Sequence, residues 1–269
     1  MTHLQSEPRG TRDVTQTITF EQPLNERIRT FLRIEQLVQR FEYCLGGQTR
    51  WDTHCALTTL LEIAELAARG DIKSELMKEL KRQTSNLEAL EEMPGVDKGS
   101  LHAVIDGHRR LIDRLHGLSG HPGGQLKGNE FLNSIKQRTV IPGGTCDFDL
   151  PAYHHWLAQP VEVRHGHFET WMRPFKQINE AAAMILDLIR QSSRPERVRA
   201  VTGFYQQNLD ADQPYQLIRI TLSAGAPQFP EISAGKHRFS VRFLEQNDLA
   251  TRASQAQGDI DFSLACCAL

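Results

Sequence analysis

Gly235-Lys236-His237-Arg238-Phe239-Ser240-Val241-Arg242-Phe243 changes character residue by residue from its second position onward. In an extended strand successive side chains point to opposite faces. His237, Phe239, Val241 and Phe243 then share one face, and Lys236, Arg238, Ser240 and Arg242 share the other. The first face can bury against a core. The second sets three cations at alternate-residue spacing, and these repel one another unless they meet water or something negative. The stretch predicts a half-buried strand with a cationic outer face.

The same period of two recurs in 201–205, 216–222 and 259–264, with turns rich in Pro, Gly, Asn or Ala between them. Upstream the period is helical. From Leu24 to Leu45, the residues Leu24, Ile28, Phe31, Leu32, Leu37, Val38, Phe41 and Leu45 cover most of a helix circumference. Arg29, Arg33, Gln36 and Arg40 are left as a narrow polar stripe. This predicts a largely buried helix whose arginines line a crevice or rim.

Three further helices follow. Asp52 is placed to cap one running to about Arg69 and stopped by Gly70, Asp71 to cap the next, and Asp97 to cap the third. Their short connections favour antiparallel neighbours in a bundle. The glycine-rich loop 117–128 is no phosphate loop, because Lys127 is followed by Gly128-Asn129. A short helix from Asn129 leads to a predicted strand and tight turn over 139–146. Asp149-Leu150-Pro151 opens a helical piece with Tyr153, His154, His155 and Trp156, and a last helix runs from near Pro174 to before Pro195.

Helices first and strands last predict an α+β chain. An N-terminal, mostly helical domain of antiparallel helices precedes a C-terminal antiparallel β domain. The expected divisions are a flexible tail over 1–16, a helical domain over 17–195 and a β domain over 196–269. Strands near 17–21 and 139–148 are free to join the β domain.

The chain has 269 residues, 39% apolar and 24% charged, with a formal net charge of −2. No apolar run is long enough to span a bilayer, and the polar start lacks a secretory core, so a cytoplasmic location is expected without membrane attachment. Near-neutrality removes any bulk argument for nucleic acid, so an anion-binding role has to be local. The odd set Cys44, Cys55, Cys146, Cys266 and Cys267 lacks framework spacing and is expected as small apolar residues in a reducing compartment.

Catalytic and metal motifs are weak. His165-Gly166-His167 and His154-His155 have no cysteine pair at zinc spacing, and core or solvated histidines are the better expectation. Cys146, after Pro142-Gly143-Gly144, could be a nucleophile beside an anion-binding turn, but a buried cysteine at a hairpin is the plainer reading. Asp149 serves equally as a helix cap. No cofactor motif is present. The aligned basic sets remain the strongest signal, against the alternative that nearby carboxylates balance them. They suit an acidic protein segment or, as a rival, a nucleic-acid-binding module. The exposed aromatics of a single-strand binder are missing, since Phe239 and Phe243 fall on the apolar face.

Phe20-Glu21-Gln22-Pro23-Leu24-Asn25-Glu26-Arg27-Ile28-Arg29-Thr30-Phe31-Leu32-Arg33-Ile34-Glu35 resembles the start of the ZapD family. So do Ser74 to Leu80, Ile141-Pro142-Gly143-Gly144 with Asp147 to Pro151, Met184 to Ser192, Gly203-Phe204-Tyr205-Gln206, the strand quoted first, and Leu264-Ala265-Cys266-Cys267. The resemblance spans about residues 17–267. It implies a non-enzymatic homodimer without cofactor that binds the C-terminal tail of FtsZ and bundles its filaments at the mid-cell division ring. Carried over by motif, Arg33, His154, Arg238 and Arg242 are the expected tail-binding residues. Arg29, Lys236 and His237 join them by proximity in sequence. The chain departs from the family at Asn129-Glu130, where a basic residue is expected and Glu130 stands instead.

Overall fold

The computed structural model describes residues 16–68, 71–118, 120 and 122–269. The tail expected over 1–16 lies outside these, apart from Gln16, as does the helix stop expected at Arg69-Gly70. The chain begins with β1 (Thr17–Pro23), followed by α1 (Glu26–Leu45), α2 (Arg50–Ala68), α3 (Ile72–Glu88) and α4 (Lys98–His116). Next come α5 (Glu130–Thr139), α6 (Pro151–Leu157), α7 (Val161–Met172) and α8 (Lys176–Gln191). The strands β2 (Glu196–Ala200), β3 (Phe204–Asn208), β4 (Tyr215–Ser223), β5 (Gln228–Ala234), β6 (Arg238–Glu245), β7 (Ser254–Gln255) and β8 (Ile260–Ala268) complete it. The fold is α+β and divides into two compact units. A β unit joins the described residues up to Leu24 to Ser192–Ala268, and a helical unit holds Asn25–Gln191.

The β unit contains two antiparallel sheets. One has the order β1-β4-β8-β2, and the other β3-β6-β5 with β7 paired to β6. Alternation builds the core between them. Ile218, Ile220 and Leu222 of β4, Phe262 and Leu264 of β8, and Phe239, Val241 and Phe243 of β6 are all buried in one cluster. Phe243 and Phe262 pack with tilted rings at 4.9 Å between centres, and Tyr205 meets Phe262 edge-on at 5.4 Å. Each such side chain contributes roughly 1.5–3 kcal/mol by leaving water. The two sheets hold each other through this layer.

In the helical unit, Asn25 caps α1 by accepting from the Ile28 N–H at 2.9 Å. Ion pairs lock α1 to its neighbours. Arg27 donates to Glu75 at 2.7 Å and to the buried Glu79 at 2.9 Å on α3, and Arg190 of α8 grips Glu35 at 2.7 and 2.6 Å. Hydrogen bonds from Lys78 and then Arg27 hold the Glu75 carboxyl below its usual range. Phe131, Tyr153, Trp156, His167, Phe168 and Trp171 form one aromatic cluster across α5, α6 and α7. The helix α7 escapes a periodicity reading because Gly166 and two valines interrupt it, and this cluster holds it in place. His167 is spent there, its Nδ1 accepting from the Trp156 indole N–H at 3.2 Å.

Several local expectations are corrected. Residues 139–148 form no strand: Thr139 ends α5, and turns follow from Val140. Ile141, Gly144 and Cys146 each donate three residues back, to Arg138, Ile141 and Gly143 at 3.0, 2.9 and 3.2 Å, so local bonds replace a ladder. Gly144 is required there, since a Cβ would lie 2.4 Å from the Arg138 carbonyl oxygen. Cys146 is exposed rather than buried, and Cys44 and Cys55 form a disulfide between α1 and α2 instead of standing as separate apolar residues. Asp52 does not cap α2. Thr49 does, in a reciprocal pair in which the Asp52 N–H donates to Thr49 Oγ1 at 3.1 Å and the Thr49 N–H donates to Asp52 at 2.9 Å. Asp71 precedes α3 without a capping hydrogen bond. Asp149 faces Arg138 at 3.3 Å and leaves Leu150 at the start of α6. Thr202 and Gly203 form a turn, not strand, and Val201 keeps only an isolated bridge to Phe204. Thr202 (φ 47°) and Gly203 (φ 70°) are both left-handed, as a tight two-residue hairpin requires. The helix α1 is less buried than its composition suggests, with Ile28, Phe31, Ile34, Phe41 and Cys44 as its buried residues.

Two histidines in the helical unit couple the fold to pH. His108 is fully buried on α4, its Nδ1 3.4 Å from Thr84 Oγ1 and its Nε2 without a partner among the described residues. Burial lowers its pKa, and the pKa of His54 beside Tyr153, from 6.5. Below about pH 6.5 the unfolded chain therefore binds more protons than the folded one, so stability falls on acidification. The thermal midpoint is expected to drop from pH 7 to pH 5, and His108→Gln to flatten that slope, as measured by calorimetry across a pH series.

Candidate functional site

The outer face of the β3-β6-β5 sheet follows from its register. Arg238 lies opposite Asn208, Ser240 opposite Gln206 and Ser233, and Arg242 opposite Phe204 and Glu231. Directly paired residues share a face. The face is therefore a polar strip of hydroxyls and amides with an arginine at either end. Phe204, 42% exposed, sits beside Arg242, while Leu244 and Phe229 pair beyond it.

Neither arginine is consumed by the fold. Among the described residues no carboxylate lies within 4 Å of Arg238. Arg242 has Glu231 at 3.8 Å, with both side chains more than half exposed at 55% and 62%. A pair that long and that wet contributes little. The strand holds both guanidinium groups on one side because Phe239, Val241 and Phe243 are pinned on the other.

The remaining expected residues distribute differently. Lys236 and His237 lie in the turn before β6, so the strand's own ladder holds two cations instead of three. His237 is exposed instead of sharing the apolar face, and its carbonyl accepts from the Leu209 N–H at 2.8 Å. Arg29 and Arg33 stand one turn apart on α1 and share Glu26, at 2.6 and 3.8 Å. Arg40, the other cation of that stripe, pairs with Glu62 at 2.5 Å and Thr59 at 3.0 Å. The stripe on α1 is thus largely balanced, and Arg33, 59% exposed with only the longer contact, is its loosest member. His154 is exposed on α6 between the buried Tyr153 and Trp156. Arg29, Arg33 and His154 belong to the helical unit, and Lys236, His237, Arg238 and Arg242 to the β unit.

A second basic face went unread in the sequence. On the outer side of the other sheet, Arg199 of β2 clasps Asp261 at 2.7 and 3.1 Å, and Arg219 of β4 pairs with Glu21 at 2.9 Å. The Arg199 guanidinium holds the Asp261 carboxyl below its ordinary range. Both arginines are engaged across strands, so they stitch the sheet rather than await a partner. The alternation of 196–200 could have revealed Arg197 and Arg199, had the strand itself been recognised. Among the described residues no group of three or more His, Cys, Asp or Glu is placed to hold a metal, and no helix is long and apolar enough to cross a membrane.

A family model described as "ZapD: Cell division protein" matches residues 32–242. The Cell division protein ZapD of Methylococcus capsulatus is 42% identical to this chain over 254 residues, which is 94% of this chain and 98% of that protein.

Because the Arg238 and Arg242 head groups carry no structural contact of consequence, Arg238→Ala and Arg242→Ala are each expected to leave the thermal midpoint within about 2 °C of the parent. Circular dichroism melting checks this. A larger loss would mean that the charges serve the fold.

Proposed function

This chain belongs to the ZapD family of cell division proteins, and on that premise we propose that it binds the C-terminal tail of FtsZ. As a homodimer in the cytoplasm it crosslinks FtsZ filaments into bundles that stabilise the mid-cell ring. Arg238 and Arg242, exposed and held on one sheet face, carry this proposal. Arg33 and His154, exposed on the helical unit, are assigned to the same partner, with Arg29, Lys236 and His237 as secondary contributors. Glu130 opens α5 as an acidic residue, so that position offers an acidic tail no attraction.

The chemistry is recognition without a catalytic step. An extended acidic tail loses counterions and gains charge-assisted contacts with guanidinium groups whose desolvation cost is small because they stay wet. Two-fold symmetry makes the dimer bivalent. Once one tail is held, the second binds at the effective concentration set by the first, so weak sites suffice to bundle.

Arg238→Glu combined with Arg242→Glu is expected to keep a folded dimer and to abolish co-sedimentation with FtsZ filaments, as tail deletion in FtsZ should. Pelleting unchanged in the double variant would overturn the assignment of the two arginines. Pelleting of the parent should also weaken as salt rises, since screening acts over about 8 Å at physiological ionic strength. The dimer itself is checked by light scattering at micromolar protein, where a monomer mass would remove bivalence. Tight binding of a single-stranded or duplex oligonucleotide at physiological salt, without FtsZ binding, would favour a nucleic-acid-binding module instead.

A further inference from the structure

The cationic face lies next to an open sheet edge, and the backbone there is as informative as the side chains. In its sheet β3 is a terminal strand, paired on one side only, with β6. Phe243 donates to Gly203 and Leu209 donates to His237, both at 2.8 Å. With the register Phe204↔Arg242 and Asn208↔Arg238, these bonds make Phe204, Gln206 and Asn208 the positions whose own N–H and C=O point away from β6. Phe204 closes its pair with Val201, donating and accepting at 3.0 Å. Gln206 and Asn208 have no strand partner on that side among the described residues. Two donors and two acceptors stand in a row along an edge whose side chains at both positions are exposed.

The opposite edge of the sheet is blunted. The corresponding outward positions on β5 include Pro230, which has no N–H to donate. Glu231 adds a negative charge to the face next to that edge. By contrast, the face beside β3 carries Arg238 and Arg242, the pair the fold leaves almost free. An edge with unpaired backbone groups invites another strand unless something covers or repels it. Here charge selects what it invites.

We propose that an acidic, extended partner segment adds to β3 as a further strand, bonding through the backbone of Gln206 and Asn208 with its alternate carboxylates on the side of Arg238 and Arg242. Residues paired across a ladder share a face, so the segment's residues that bond Gln206 and Asn208 point their side chains over the cationic strip. Two strand spacings, about 10 Å, separate the added strand from β6. An arginine and an acidic side chain reaching toward each other over Gln206 span that gap. Main-chain bonds give affinity that any extended segment could use, while the arginines restrict it to acidic alternation. The inference rests on the FtsZ-tail proposal above and specifies how the tail is held.

The test titrates the full chain with a synthetic peptide of the FtsZ C-terminal tail, and with two versions carrying backbone N-methyl groups on odd or on even residues. Strand addition presents only one of these sets to β3. One methylated set should weaken binding about tenfold or more, the other should bind within about twofold of the parent peptide. Gln206→Pro removes the outward N–H while leaving the β6 bonds in place, and should weaken the parent peptide comparably with the melting transition retained. Equal binding by both methylated sets, or equal loss in both, overturns strand addition, as does a folded Gln206→Pro protein that binds normally. Failure of the unmodified peptide to bind at all would instead overturn the FtsZ-tail proposal itself.

Discussion

The β unit depends on the apolar layer between its two sheets. Phe239, Val241 and Phe243 can enter that layer only if β6 keeps one register, because a slip by one residue would turn the arginines inward. Burying a guanidinium there without a partner would cost far more than a well-made surface contact returns. The position of the arginines is therefore a by-product of core packing. The face is organised with almost no help from its own charges, since its two arginines repel each other and the one ion pair on it, Arg242 with Glu231, is long and wet.

In the helical unit the same economy works through ion pairs. Arg27 and Arg190 reach Glu75, Glu79 and Glu35, and they fix α1 against α3 and α8. These are arginines that a charge-stripe reading passes over, because they lie off the Arg29, Arg33 and Arg40 line. On that line, Glu26 and Glu62 meet the cations. Arg29 and Arg33 both meet Glu26 at the start of α1, whereas Arg40 is answered by Glu62 of α2, a pairing that only the fold displays.

Period carried the sequence reading a long way. The alternation of 238–243 was legible, as were the periodic helix α1 and the helix capped at Asp97, because each follows from side chains within a few residues. What was not legible depended on neighbours distant in sequence. The helix α7 is held by rings from α5 and α6, the Thr49 cap relies on a backbone geometry that Asp52 alone does not announce, and 139–148 looked extended because Val140, Ile141 and Cys146 are β-prone. Likewise, His237 fits the alternating pattern but sits just beyond the point where pairing starts. Strand ends are set by turns, and turns are set by backbone angles that composition reveals poorly.

The hydroxyls of Thr19 and Thr221, 2.8 Å apart, join residues separated by 202 positions in the chain. That distance has a temporal meaning. During synthesis β1 leaves the ribosome before the helical unit, its ladder partner β4 is made only after that unit, and β8 arrives later still. The β1-β4-β8-β2 sheet closes late around its earliest strand, since non-local pairing waits for the chain between to be made and compacted. In the interval β1 is an unpaired strand in a crowded cell, and its Thr17-Ile18-Thr19-Phe20 alternation must stay soluble on its own. The helical unit is in effect an insertion that folds while the sheet is held open.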